Sequence, residues 1–170
     1  MMKLTPHRDH PLPEVAALEV EARADDDVLT LRYRVRGEVG ALLLPDIGPL
    51  RREDRLWRST CFEIFLRHNA TGYREYNFAP DGRWSAYRFG SYRHARSNLP
   101  NRCILAGSRE GEDYVLTAMI AGQPLNGHRV GLSAIIETQD GRKGYFALAH
   151  PAGPADFHHD DCFAIYGEEI

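Results

Sequence analysis

The chain has few cysteines and almost no lysine. Its three cysteines, Cys61, Cys103 and Cys162, lie far apart in 170 residues and form no Cys-x-x-Cys pair. This spacing excludes a disulfide framework and the usual structural zinc sites, so we expect reduced cysteines packed as small apolar side chains. Arginines interleaved with aromatic residues in the middle of the chain resemble single-stranded nucleic acid binders. Two lysines against nineteen arginines and a net charge of −3 argue against that function.

Long hydrophobic segments are also missing. No apolar run approaches the length that spans a bilayer, and the N-terminal residues 1–6 have a lysine but no apolar segment behind it. We therefore predict a cytoplasmic protein with no secretory signal and no membrane partner. Gly-x-Ser-x-Gly motifs and glycine-rich phosphate loops are absent from the sequence, which leaves nucleophilic hydrolysis and Rossmann-type cofactor binding unsupported.

What the sequence does contain is repeated two-residue alternation of apolar and polar side chains, which predicts strands. We expect strands near 18–22, 29–35, 59–68, 73–79, 83–90, 102–109, 113–121, 130–136, 143–149 and 162–166, and a short apolar run at 39–44. Turn signals at 25–27, 69–72 and 80–82 favour antiparallel neighbours, and 45–58 predicts a long loop with one helical turn. The pattern predicts a single all-β domain over 1–170, an antiparallel β-sandwich of about ten strands with little helix, or alternatively a barrel.

Residues 57–92 carry ten of the seventeen aromatic residues and both tryptophans. Alternation places Phe62, Ile64 and Leu66 on a core face and Glu63 on the opposite face. In the next predicted strand, Tyr76 and Phe78 face away from Glu75 and Asn77. If the strand register aligns the polar faces, Glu63, Glu75 and Asn77 converge. The alternative is a solvated outer face whose acids pair with arginines such as Arg58, Arg74 and Arg88.

A sugar-type site is one interpretation of this polar group. Pairs of hydroxyls suit carboxylate, amide and guanidinium groups, and an aromatic ring stacks on the apolar face of a pyranose. Trp57 and Trp84 are the candidate stacking rings, each with a core role as the alternative, and Arg88 is a candidate ligand contact. Glu63 and Glu75 could also act as the acid and the base of a glycosidase, which is a third interpretation. The sequence alone gives neither the distance between the two carboxyls nor their pKa values.

The segment Phe157-His-His-Asp-Asp161 contains side chains that bind metals. Adjacent histidines in an extended chain point to opposite sides, so we expect His158 and His159 not to share an ion. His158 is a weak metal candidate, with His150 as a further ligand if the last strands pair, and haem ligation by His158 is another reading. The alternative is a polar loop whose histidines hydrogen-bond locally.

Several of these segments resemble one known family. The run Leu56-Trp-Arg-Ser-Thr-Cys-Phe-Glu-Ile-Phe-Leu66, the run from Tyr73 to Tyr87, and Phe146-Ala-Leu-Ala-His150 followed by Ala155-Asp-Phe-His-His159 are similar to the bacterial DOMON-like family related to family 9 carbohydrate-binding modules. The resemblance implies a β-sandwich with a pocket on one sheet that holds a sugar or a haem. It places Glu63 in a Phe-Glu-x-Phe strand, and Asn77 and Trp84 in an Asn-Phe-x-Pro-x-Gly-x-Trp segment.

The prediction is therefore a non-enzymatic protein that binds a small ligand, most readily a saccharide, and requires no cofactor. Glu63 and Asn77 would hydrogen-bond sugar hydroxyls, Glu75 would accept from them or orient an arginine, and Trp84 would stack on the ring. A haem-binding domain that uses His158 is the alternative, and a glycan-processing enzyme comes third.

Overall fold

A computed structural model describes residues 1–25, 27–68 and 70–170. Its thirteen strands are β1 (Met2–Pro6), β2 (Val15–Asp25), β3 (Val28–Gly37), β4 (Arg51–Arg52), β5 (Cys61–Arg67), β6 (Tyr73–Phe78), β7 (Arg83–Phe89), β8 (Ser97–Asn98), β9 (Cys103–Glu110), β10 (Asp113–Ala121), β11 (Arg129–Glu137), β12 (Lys143–Ala147) and β13 (Ile165–Tyr166). The helical segments are four single 3₁₀ turns, at Val39–Ala41, Leu56–Arg58, Asp160–Cys162 and Gly167–Glu169. The predicted all-β class with little helix is confirmed.

The strands form one continuous curled sheet. Its order is β4-β7-β6-β5-β11-β12-β1-β2-β3-β10-β9, with β13 beside β11 and β8 beside β7. The short strand β1 joins the two halves, because Thr5 pairs with Ala147 of β12 while Met2 pairs with Val20 of β2. The sheet thus continues from one half to the other through five residues.

The predicted antiparallel sandwich needs correction, because the sheet is mixed. Arg51 and Arg52 of β4 run parallel to Arg83 and Trp84 of β7. A parallel pairing needs a long crossover, and the chain from β4 to β7 supplies one by way of β5 and β6. The other strand pairs of the described residues are antiparallel.

The main core lies between the inner faces of the two halves. Phe62, Ile64 and Leu66 are fully buried there, as their alternation predicts, and belong to the same apolar cluster as side chains of β2, β3 and β10. The ring centroid of Tyr33 on β3 lies 5.1 Å from that of Phe62, and its hydroxyl donates to the Glu63 backbone oxygen at 2.8 Å. A buried hydrogen bond therefore ties β3 to the strand that carries Glu63.

Most predicted strands are present, with differences at the short segments. The apolar run 39–44 forms a 3₁₀ turn and one bridge between Leu42 and Thr138. The predicted 162–166 strand shortens to β13, while β1, β4 and β8 were not predicted. The expected helical turn in 45–58 is confirmed at Leu56–Arg58. The turns predicted at 25–27 and 69–72 include Asp26 and Asn69, which lie outside the described residues.

Within the part of the chain that the structure describes, no helix has the length and apolar character needed to cross a membrane.

Candidate functional site

A straight row of polar side chains crosses the outer face of four neighbouring strands. Ser133 of β11 pairs with Glu63 of β5, Glu63 with Asn77 of β6, and Asn77 with Ser85 of β7. Glu75 lies two residues from Asn77 on the same face of β6, because side chains at i and i+2 point to the same side of a strand. The register therefore brings Glu63, Glu75 and Asn77 together, as the alternation predicts.

This outer face is covered rather than solvated. A second apolar cluster packs on it, formed by Phe65, Tyr73, Tyr87, Phe89, Ile135, Ala147, Phe157 and Phe163. Phe157 and Phe163 come from the loop after β12, which folds back over the sheet. Beneath it Glu63 is 2% and Glu75 4% exposed. The alternative of a solvated face with acids paired to strand arginines is wrong, because neither acid has an arginine partner among the described ion pairs.

A cavity of about 440 Å³ opens above the two glutamates. We call it the outer-face cavity. It is lined by Trp57, Glu63, Glu75, Phe89, Arg93, Arg96, Ile135, Tyr145, Ala155, Asp156, Phe157 and His158. Trp57 is the middle residue of the 3₁₀ turn Leu56–Arg58, which leads into β5, and it is 40% exposed. The cavity thus combines a buried acidic floor, aromatic walls and one accessible indole.

Burial dominates the electrostatics of the floor. Burial and, after it, the nearby Glu75 together raise the pKa of Glu63 to about 8, against the Ser133 hydroxyl, which lowers it. Burial likewise raises the pKa of Glu75 to about 7, against the Asn77 amide and the positive charges of Arg93 and Arg96. Two carboxyls in one poorly hydrated site do not ionise together easily. Near neutral pH the pair therefore holds at least part of one proton and can both donate and accept hydrogen bonds.

Each glutamate is held by one neighbour. The Ser133 hydroxyl donates to Glu63 Oε2 at 2.9 Å, and Asn77 Nδ2 donates to Glu75 Oε1 at 2.7 Å. Asn77 is fully buried and does not line the cavity. The structure therefore places Asn77 behind Glu75 as a positioning residue, and not at the hydroxyl-binding position that the sequence suggested.

His158 closes one side of the cavity beside Glu75. Its Nδ1 lies 2.7 Å from the Tyr73 hydroxyl, and its Nε2 lies 3.8 Å from Glu75 Oε2. The ring also contacts Phe65 and Phe89 edge-on, with centroids 5.1 and 5.3 Å away. Burial, assisted by the charge of Arg93, lowers the pKa of His158 to about 4. His158 is therefore a neutral imidazole at physiological pH.

We expect the imidazole of His158 to stay neutral from pH 8 down to pH 5, because its buried aromatic surroundings disfavour the cation. NMR titration of the histidine ring signals measures this directly, with the His158→Gln variant identifying the His158 signal. A midpoint near 4 agrees with the structure. A midpoint above 6 would contradict the buried position of the ring.

The metal and haem readings find little support in these contacts. Among the described residues, no group of three or more His, Cys, Asp or Glu side chains has the geometry of a metal site. His159 points to solvent and caps the turn at Asp160, so the two histidines diverge as predicted. An iron on His158 Nε2 would have to displace the Glu75 carboxyl, and the described lining offers no second histidine, methionine or lysine. As placed, His158 Nε2 faces the Glu75 carboxyl and is not free to ligate an iron.

The rim of the cavity is built from two loops that Asp156 connects. Its carboxylate accepts from Arg93 Nη2 at 2.7 Å, from the Tyr92 hydroxyl, and from the His158 backbone N–H at 3.1 Å. Arg96 lies on the same rim, with its guanidinium carbon 4.7 Å from the centre of the Tyr87 ring. The mouth of the cavity therefore carries two arginines and one paired aspartate.

Two predicted site residues lie elsewhere. Trp84 is on the inner face of β7, packs against the main core and has the Arg52 guanidinium 5.5 Å from its ring centre. Arg88 is also on the inner side of β7 and lines a different pocket. Alternation explains both positions, since Ser85, Tyr87 and Phe89 take the outer face. Of the two tryptophans, only Trp57 is placed to stack on a ligand in this cavity.

Sequence reasoning missed the residues that come from loops. Arg93 and Arg96 belong to the arginine-rich segment after β7, and Asp156 and Phe157 to the long loop after β12, where no periodic pattern indicates which side chains turn inward. Ile135 and Tyr145 lie on predicted strands, but the pairing of β11 with β5 and of β12 with β11, which brings them to the cavity, does not follow from the local alternation. The signal that was available is the unusual Phe-His-His-Asp-Asp run, which does contribute His158.

No protein-family model matches the chain, and no curated protein matches it significantly. Among solved structures, one from Bacteroides uniformis ATCC 8492, described as a "putative carbohydrate-binding protein", superposes with a TM-score of 0.58. The match covers 95% of this chain and 84% of that one at 16% identity. At this identity the likeness establishes a shared fold and nothing about the ligand.

Two further matches are structures of a family 9 carbohydrate-binding module from Caldicellulosiruptor kristjanssonii, one in complex with cellotriose and one with glucose. Each superposes with a TM-score of 0.46 and 16% identity and covers 81% of this chain. The match covers 67% of the chain in the cellotriose complex and 69% of the chain in the glucose complex. The overlap is too weak to assign residues.

Proposed function

We propose that the protein binds a saccharide in the outer-face cavity. The observation that carries this proposal is the placement of an accessible indole, Trp57, at a cavity whose floor is formed by two buried carboxyls, Glu63 and Glu75. Sugar sites combine a flat aromatic surface for the apolar face of a pyranose with a few fixed polar groups for its hydroxyls. The fold shared with a structure described as carbohydrate-binding supports the proposal.

The protonation state of the floor favours a neutral polyol. A hydroxyl both donates and accepts, and a carboxyl pair that retains a proton offers both functions in return. A cationic ligand would instead require two ionised carboxylates and would have to pass Arg93 and Arg96 at the rim. In the proposed complex Glu63 and Glu75 bind adjacent hydroxyls, and Asn77 and Ser133 fix the orientation of the two carboxyls.

The aromatic walls supply the remaining contact. Phe89, Tyr145 and Phe157 line the cavity beside the polar floor. A pyranose held by its hydroxyls at the floor would present a C–H face to these rings or to Trp57. Trp57 therefore takes the stacking role in this proposal, and Trp84 remains part of the core.

The test is a saccharide panel of neutral hexoses, uronic acids and oligosaccharides, followed by calorimetry with any sugar that binds. We expect Trp57→Ala and Glu75→Gln each to weaken binding about tenfold or more, since each removes a contact of about 1.5 kcal/mol or more. Tyr166→Ala is the matched control, because Tyr166 is an exposed aromatic residue, 57% accessible, outside the cavity lining. If the unchanged protein, Trp57→Ala, Glu75→Gln and Tyr166→Ala all bind the sugar with equal affinity, the outer-face cavity is not the binding site.

Two other outcomes would replace the proposal. A Soret absorbance band in the purified protein would indicate haem, and turnover of a glycoside abolished by Glu75→Gln would make the carboxyl pair catalytic. With neither outcome, binding without catalysis stands.

We also propose membership of the bacterial DOMON-like proteins related to family 9 modules, whose antiparallel β-sandwich this curled sheet would approximate. A single domain and a cytoplasmic location remain predictions.

A further inference from the structure

A second pocket lies at the inner-face end of β6 and β7, separated from the outer-face cavity by Phe89, which lines both. Its volume is about 550 Å³. The lining residues are Leu66, His68, Thr71, Gly72, Tyr73, Arg74, Arg88, Phe89, Gly90, Gly122, Pro124 and His128. We call it the arginine pocket. The saccharide proposal makes no use of it.

Two arginines face each other directly in this pocket. Arg74 of β6 and Arg88 of β7 are cross-strand partners, so their Cβ atoms lie about 5 Å apart. Like charges directly opposite each other destabilise a sheet unless something of opposite charge lies between them. Within residues 1–25, 27–68 and 70–170 neither arginine forms an ion pair. Arg74 Nη1 donates to the neutral Gln123 Oε1 at 2.9 Å.

Two histidines line the same pocket beside the arginines. The rings of His68 and His128 lie 4.9 Å apart. Nδ1 of His68 is 3.2 Å from the Gly127 backbone oxygen, and Nδ1 of His128 is 3.2 Å from the Asn126 backbone oxygen. Because a carbonyl oxygen only accepts, each Nδ1 carries the hydrogen and each Nε2 is left as a hydrogen-bond acceptor.

The described lining of the pocket contains no aspartate or glutamate. Glu168 lies near His128 but accepts from the Gly127 backbone N–H and is not part of the lining. Two guanidinium groups therefore line a pocket of about 550 Å³ without a described acid in its lining to neutralise them.

From this arrangement we infer that the arginine pocket is an oxyanion site for a phosphate group, either free phosphate or a phosphate monoester. Guanidinium groups bind phosphate oxygens through paired, charge-assisted hydrogen bonds. A tetrahedral oxyanion presents oxygens in several directions and so can accept from arginines of two strands together. A phosphate that keeps a hydroxyl near pH 7 can also donate that hydroxyl to an imidazole Nε2. A planar carboxylate has only two oxygens in one plane. The volume leaves room for the organic part of a monoester.

The test is calorimetric titration of the protein with inorganic phosphate at pH 7, in a low-salt buffer free of phosphate and sulfate. We expect measurable binding that weakens about tenfold or more in Arg88→Gln and in Arg74→Gln, since each loses a charge-assisted contact. Arg88 is exposed, so its variant keeps the test valid if Arg74→Gln fails to fold. Arg109→Gln, an exposed arginine of β9 outside the pocket, is the control and should bind as the unchanged protein does.

Titration with glucose 6-phosphate and with glucose distinguishes the two sources of the phosphate group. A monoester that binds more tightly than inorganic phosphate identifies a phosphorylated ligand, and equal affinities identify free phosphate. Absence of phosphate binding, acetate binding as tight as phosphate, or equal loss in Arg109→Gln would each overturn the inference. Trp57→Ala should leave phosphate binding unchanged, because Trp57 does not line the arginine pocket. Absence of the phosphate site and absence of the saccharide site are therefore distinguishable results.

Discussion

The double variant Glu63→Gln, Glu75→Gln should unfold at a temperature several degrees higher than the unchanged protein at pH 9, and at nearly the same temperature at pH 4. Both carboxyls have a folded-state pKa above the ordinary value of 4.5, about 8 for Glu63 and about 7 for Glu75. Between 4.5 and those values the folded state binds more protons than the unfolded state. Stability of the unchanged protein therefore falls as pH rises through this window.

The amide variants do not ionise, so this loss disappears. Glutamine keeps an oxygen that can accept from the Ser133 hydroxyl or from Asn77 Nδ2, and the local contacts can persist. Over shifts of this size the gain in free energy of unfolding at pH 9 is on the order of a few kcal/mol. Thermal unfolding from pH 4 to pH 9 measures the effect. The control is Glu21→Gln, Glu112→Gln, two exposed glutamates, which should follow the unchanged protein. If the unchanged protein and the two double variants show the same dependence of unfolding temperature on pH, Glu63 and Glu75 are hydrated in the folded state.

Leu4→Asp should destabilise the protein by about 3–5 kcal/mol, the scale of an uncompensated buried charge. Leu4 is 1% exposed and belongs to the main core, and it lies in β1, the strand that joins the two halves of the sheet. A carboxylate at this position has no described partner, and its desolvation would also loosen the pairing of β1 with β2. Denaturant unfolding at pH 7 measures the loss.

Lys3→Asp is the matched control, because Lys3 is the neighbouring residue on the same strand and is exposed. It introduces the same side chain, and we expect a loss of about 1 kcal/mol or less, the scale of a like-charge pair with Glu19 across the strands. Similar losses in the two variants would mean that charge, and not the buried position, matters. If Leu4→Asp and Lys3→Asp are both as stable as the unchanged protein, β1 is not required to join the two halves of the sheet.

The alternation of side chains predicted the long strands and the composition of their two faces. Phe62, Ile64 and Leu66 do form the core face, and Glu63 does lie opposite them with Glu75, because a period of two fixes the side to which each residue points. The same rule also indicates that Trp84 lies opposite Ser85. The resemblance to the family segment suggested that Trp84 stacks on a ligand, whereas the alternation of side chains puts Trp84 on the inner face of β7.

What the sequence could not show depends on distant contacts. β1 has only five residues and a weak pattern, and it becomes a strand because β12 and β2 offer free edges on its two sides. The mixed sheet arises from two residues of β4 reaching the edge of β7. The burial of Glu63 depends on the loop that carries Phe157, about ninety residues later in the chain. None of these contacts leaves a local signal.

The central claim is that a saccharide lies against Trp57 above Glu63 and Glu75, and the two tryptophans allow a direct measurement. In Trp84→Phe the only indole is Trp57 at the cavity, and in Trp57→Phe the only indole is Trp84 beside the main core. Fluorescence titration with a sugar that binds the unchanged protein should change the emission of Trp84→Phe and leave that of Trp57→Phe unchanged. A sugar-dependent signal from Trp84 with none from Trp57 would contradict the outer-face cavity as the binding site.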